Sequence, residues 1–182
     1  MKKKKRSKYS SPKQLQKSIE LGAVTKEYKA DAKQVIKELN ELRSTEIASY
    51  LQYKQHAYMA VSLFSPGIKA EFNAHANQEL EHADLLAERI QQIGGVPIFD
   101  PEEIAEKARQ AGVEPRQGRT MAEMIGQDLT LERQQIERYS VLARNIQTTD
   151  SVTWLLVVQI LAQTEKHAAE LADFLSREAD VR

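Results

Sequence analysis

The chain has 182 residues, 41% hydrophobic and 29% charged, with 26 basic side chains balanced by 26 acidic ones. That mix suits one folded domain with a full core rather than a disordered polyelectrolyte. The chain has no cysteine, which excludes disulfides, zinc–thiolate sites and iron–sulfur clusters.

The zero net charge conceals an asymmetry. Residues 1–19 carry eight basic groups (Lys2, Lys3, Lys4, Lys5, Arg6, Lys8, Lys13 and Lys17) and no acid, leaving 18 basic and 26 acidic groups on the remainder. The opening residues 1–12 show no apolar period, so a largely flexible basic arm is expected over 1–30, with an ambiguous short helix after residue 13. Residues 13–24 are too polar for a signal-peptide core, and no apolar run approaches the roughly 20 residues of a membrane span. A cytoplasmic location is therefore expected. Such an arm would seek polyanions, while the acidic body would concentrate cations.

From Asp31 to about Phe64, apolar residues recur at helical spacing: Val35, Ile36, Leu39, Leu42, Ile47, Leu51. Ser65-Pro66-Gly67 reads as a turn ending that helix. A second helix runs from about Ile68 to Gly94-Gly95. A long connection follows, in which Pro101 opens a short helix and Gly112 closes it. Thr120 and Glu123 form a capping box for a third long helix, ending near Ile146. Thr148-Thr149-Asp150 is a short turn, and a fourth helix runs to about Ala179. Short, long and short connections predict an all-α ferritin-like four-helix bundle over residues 31–182, with a long crossover that contains a short helix.

Five ionisable residues stand out within these helices. Glu79 and His82 share one helix face at i, i+3 spacing, with Glu46 on the preceding helix. Glu132 and His167 repeat the pattern 35 residues apart, against 36 for Glu46 and His82. Each lone Glu has a Tyr seven residues on, Tyr53 and Tyr139, placed to hydrogen-bond a ligating carboxylate. Carboxylates and imidazoles converging from four helices make a two-metal site. His56 is expected to pack or hydrogen-bond near the bundle and His75 to lie at a surface or interface. Trp154, Met59, Met121 and Met124 are expected in the core or an interface.

Residues 39–60 (LNELRSTEIASYLQYKQHAYMA), 77–95 (NQELEHADLLAERIQQIGG) and 128–139 (DLTLERQQIERY) resemble the first three helices of bacterioferritin-type ferritins. The resemblance covers about residues 33–178. It implies a di-iron centre with Glu46, Glu79, His82, Glu132 and His167 as ligands and two irons per subunit. The sixth family ligand, a Glu three residues before the last His, is Thr164 here. Glu165 is the nearest compensating candidate, but it lies about 100° around the helix. Leu80 occupies the place of the haem-binding Met, so no haem is expected.

The short helix in the crossover, the basic arm and the lack of a fifth helix resemble the Dps-type mini-ferritins. That resemblance implies a homo-oligomer of 12 subunits, ferrous iron oxidised by oxygen or hydrogen peroxide, and non-specific DNA contact through Lys2, Lys3, Lys4, Lys5, Arg6 and Lys8. An interface site using Asp84 and Glu88 ranks second. Two rival readings remain at this stage: a DNA-coating Dps-type structural protein with a degraded ferroxidase site, and a di-metal carboxylate oxidase that stores nothing.

Overall fold

The structure, a computed structural model, describes residues 11–61 and 65–180. It comprises α1 (Pro12–Glu20), α2 (Ala32–Met59), α3 (Ser65–Gln92), α4 (Pro101–Gln110), α5 (Met121–Ile146) and α6 (Ser151–Asp180), with no strand among the described residues. None of these helices is long and apolar enough to cross a membrane. Side chains that accept from first-turn amides start five of them: Ser11 for α1, Asp31 for α2, Asp100 for α4, Thr120 for α5 and Asp150 for α6. The capping box at α5 is shifted by one residue, because the Glu123 carboxylate accepts from the Arg119 amide, 2.7 Å away, not from that of Thr120.

Two helical hairpins, α2–α3 and α5–α6, form the bundle. Contacts fix their directions. Residues Glu46 and Lys54 of α2 meet His82 and Asn73 of α3 in reverse order. His75, His82 and Arg89 of α3 meet Glu170, Gln163 and Asp150 along α6, again reversed. The crossover is anchored along its length. Asn40 donates to the Val96 carbonyl and accepts from the Ile98 amide, and the Arg43 guanidinium stacks 4.3 Å from the Phe99 ring centre. Helix α4 seats Ala108, with Val113 just beyond it, against Ala48 and Leu131.

Two apolar clusters occupy the two ends of the bundle. One gathers Leu39, Leu86, Ile90, Leu142, Ile146 and Ile160; the other gathers Ala57, Phe72, Ala76, Ile125, Leu129 and Leu171. Their aromatic members Tyr139 and Tyr53 mark the inner boundary of each, and a layer of buried polar groups lies between.

Two expectations need correction. Ser65-Pro66-Gly67 is the first turn of α3 and not the break before it. Proline lacks an N–H that a first turn cannot use anyway, so it starts a helix as readily as it stops one. The 1–30 segment is also not a single arm. Val24, Tyr28 and Ala30 pack against the first apolar cluster, and the Tyr28 hydroxyl donates to Asp150 at 2.8 Å. Backbone joins backbone at Ala23, whose amide donates to the Gln92 carbonyl. Gly22 and Gly94 both have positive φ here, and a Cβ on either would strike the other segment's main chain. The basic residues Lys2 to Lys8 lie outside the described residues.

Candidate metal centre

Glu46 comes from α2, Glu79 and His82 from α3, Glu132 from α5 and His167 from α6. All five are buried at 0–1% exposure. Helix phase alone explains the convergence: each residue sits on the stripe of its helix that faces the bundle axis. Ionisable groups without water are costly there unless paired or metal-bound.

The pairing follows an approximate two-fold pattern. His82 Nδ1 lies 3.3 Å from Glu46 Oε2, and His167 Nδ1 lies 3.4 Å from Glu132 Oε1 and 3.2 Å from Glu79 Oε1. The Tyr139 hydroxyl donates to Glu46 Oε1 at 2.5 Å, and the Tyr53 hydroxyl donates to Glu132. Each tyrosine therefore serves the carboxylate on the opposite hairpin. Gln135 links the halves, donating to Ser49 Oγ and Glu79 Oε2.

A further pair of residues escaped the sequence reading. Gln163 Oε1 accepts from His82 Nε2 and Gln78 Oε1 accepts from His167 Nε2, both at 2.6 Å. Each histidine thus donates from Nε2 and turns Nδ1 toward the carboxylates. The signal was present in the sequence, because Gln78-x-x-x-His82 repeats as Gln163-x-x-x-His167.

The charges are strongly coupled. Burial and the nearby Glu79 push Glu46 well above the usual carboxylate range. Burial and Glu79 likewise raise Glu132 to about 7. Burial opposes the charge on Glu79 too, but the close approach of His167 and Glu46 and the field of His82 outweigh it and hold Glu79 at about 2. Burial works against a charged His167, yet Glu132 and Glu79 raise it to about 10. One carboxylate of the three is therefore firmly ionised, and an imidazolium offsets it.

The donor set fits a pair of divalent cations. Glu46, Glu79 and His82 bring ligand atoms within 4.8 Å of one another, and His75, Glu132 and His167 form a second such group. Glu79 Oε1, Glu132 Oε2 and His167 Nδ1 are buried with no hydrogen-bond partner. Buried polar atoms rarely stay unpartnered, so a bound species is their natural complement.

Two expectations about individual residues change. Glu165 is exposed and joins neither group, while Thr164 is buried with its hydroxyl donating to the Ile160 carbonyl at 3.0 Å. His75 is not at a surface. It is 1% exposed and stacks on His167 with ring centres 4.1 Å apart. Sequence spacing did offer a clue, since His75 precedes Glu79 by one helical turn and shares its face. His56 hydrogen-bonds to Asp128 at 2.9 Å and to the Arg116 carbonyl at 2.7 Å, in a network with Gln52. Met124 is buried, Trp154 and Met121 pack against the clusters, and Met59 is part-exposed.

Known proteins share this arrangement of helices. A structure described as a dodecameric thioferritin, the bacterioferritin-related protein from Bacteroides fragilis, superposes with a TM-score of 0.80 at 30% identity, covering 91% of this chain and 96% of that one. The bacterial ferritin of Pseudomonas aeruginosa is 31% identical over 140 residues, 75% of this chain and 82% of its own. A nutrient stress-induced DNA-binding protein of Nostoc is 28% identical over 149 residues, 78% of this chain and 77% of its own. The ferritin-like domain family matches residues 36–180, all four bundle helices and the whole buried polar layer, and the chain belongs to that family.

Proposed function

We propose that this protein oxidises ferrous iron at the buried centre and stores the ferric product inside a hollow homo-oligomer of 12 subunits. The observation that carries this reading is the pair of facing Glu/His groups, in which Glu79 Oε1, Glu132 Oε2 and His167 Nδ1 lack hydrogen-bond partners. Carboxylate and imidazole donors suit iron in both oxidation states. Glu46 and Glu132 serve as terminal ligands, Glu79 as the bridge, and His82 and His167 as nitrogen ligands. Two ferrous ions supply two electrons, which with two protons reduce oxygen to hydrogen peroxide or hydrogen peroxide to two waters. Tyr53 and Tyr139 hold the terminal carboxylates in register through the cycle. The dodecameric relative supports the shell size.

The test is aerobic ferrous loading of the native particle, with its mass and its iron content measured together. The expected result is a 12-subunit particle that accumulates tens of irons or more per shell, and a Glu79→Ala particle of unchanged mass that oxidises iron at least about tenfold more slowly, the penalty expected when a ligand is lost. A monomer or dimer at micromolar concentration would overturn the storage reading.

A second reading has its own observation. The eight basic residues in the first 19 and the DNA-binding relative favour non-specific DNA contact by the shell. It accompanies iron storage and does not replace it.

A further inference from the structure

The approximate two-fold symmetry of the centre is broken at two places, and the breaks lie on the same side. On α3 the face reads His75, Glu79, His82. The corresponding face of α6 reads Ile160, Thr164, His167. The second half has thus lost a carboxylate at Thr164, whose hydroxyl is committed to its own helix. The first half carries an additional imidazole at His75, and that imidazole reaches across to the depleted half. It stacks on His167 and shares with Glu132 and His167 a cluster of ligand atoms within 4.8 Å of one another.

We propose that His75 is a metal ligand of the second half-site, taking the place of the carboxylate that Thr164 cannot supply. The inference rests on the di-metal reading above and assigns the ligand that this reading lacks. Three residues in the cluster each keep a buried polar atom without a hydrogen-bond partner: His75 Nδ1, Glu132 Oε2 and His167 Nδ1. Buried polar atoms seldom stay unmatched, so three together in one pocket point to a missing common partner. The other nitrogen of His75 is already engaged. Its Nε2 lies 3.2 Å from Glu170 Oε2 and 3.4 Å from Glu71 Oε1, two carboxylates at the edge of the bundle. These acceptors place the proton on Nε2 and leave the Nδ1 lone pair free for a cation, as partners of ligating histidines do. Glu170 also pairs with Lys166 at 3.3 Å, which holds the carboxylate in place.

The resulting donor set is two imidazoles and one carboxylate, with Glu79 Oε1 a further 3.2 Å from His167 Nδ1. Such a set suits a ferrous ion and leaves coordination positions open for an oxidant. It also makes the two metal positions chemically unlike: one is carboxylate-rich, the other imidazole-rich.

The test uses cobaltous ion as a redox-silent stand-in, titrated anaerobically into the assembled protein. Bound ion per subunit is measured by elemental analysis and by visible ligand-field absorbance. The native protein is expected to bind two ions per subunit and His75→Ala one. The double variant His75→Ala/Thr164→Glu should regain the second, because it restores a carboxylate to the depleted half. Should His75→Ala not assemble, His75→Leu fills the same space without a donor and carries the same expectation. Two ions retained in the His75 variants would overturn this inference and leave the di-metal reading intact. A double variant that assembles but stays at one ion would overturn it as well. No bound ion in the native protein would overturn the di-metal reading itself, and this inference with it.

Discussion

At the residue scale, the proposed centre carries protons that a bound cation would displace. His167 is raised to about 10 and Glu132 to about 7, both near or above neutral pH. Ligation requires a neutral imidazole and an ionised carboxylate, so binding releases these protons. Acid therefore competes with metal, and the affinity should climb as pH rises from 6 to 8, by up to about tenfold per pH unit for each proton displaced. Anaerobic cobalt titrations by calorimetry, in buffers of different ionisation enthalpy, would measure both quantities. Uptake with no proton release and no pH dependence would contradict this account of the charges. Gln163 sets a related expectation. Gln163→Leu leaves His82 Nε2 without its acceptor, so the ring loses its fixed tautomer. Metal affinity should fall by about 10- to 100-fold, the usual cost of losing a ligand's supporting partner. A titration showing unchanged affinity would reduce Gln163 to a bystander.

At the element scale, Asp150 ties together three parts of the chain. Its carboxylate caps α6 through the Thr153 amide at 3.0 Å, pairs with Arg89 of α3 at 2.9 Å and accepts from Tyr28 at 2.8 Å. Asp150→Ala should cost about 3–5 kcal/mol, because it leaves the Arg89 guanidinium buried without its counter-ion. Tyr28→Phe removes one hydrogen bond and should cost only about 1 kcal/mol. Chemical denaturation of the two variants should keep that order, and equal losses would show that Asp150 acts as a cap alone.

The sequence disclosed the four long helices because their apolar stripes, caps and turns agree. It brought out five residues that meet in the buried polar layer because Glu-x-x-His and the 35- and 36-residue spacings are local facts. It did not disclose that α3 begins at Ser65, since Pro fits either side of that boundary. Nor did it place residues 22–30 on the bundle, because a docked segment without helical period looks like a linker. His75 was misplaced because its one-turn spacing from Glu79 was passed over: that spacing puts it on the inward face, although its contact with α6 is decided by packing.

At the scale of the whole molecule, a lone bundle would leave Leu51, Tyr58, Leu80, Val141, Val152 and Leu155 substantially exposed. Apolar side chains of that number on helix surfaces are what subunit contacts would cover. The body carries net negative charge once the first 19 residues are set aside, so it repels phosphate, and the DNA contact proposed above would have to come from the basic first 19 residues. Each such segment would be weak alone, and many on one particle would raise the effective concentration of the next contact. Gel-shift titration should show sequence-independent binding that falls steeply with salt. Removing residues 1–10 should abolish it, and a truncated shell that still shifts DNA would show that another surface binds.

The paired glycines at Gly22 and Gly94 fix the point where the chain enters the bundle. Main chain meets main chain there with no room for a side chain, so the start of the body is fastened to the end of α3 and cannot swing.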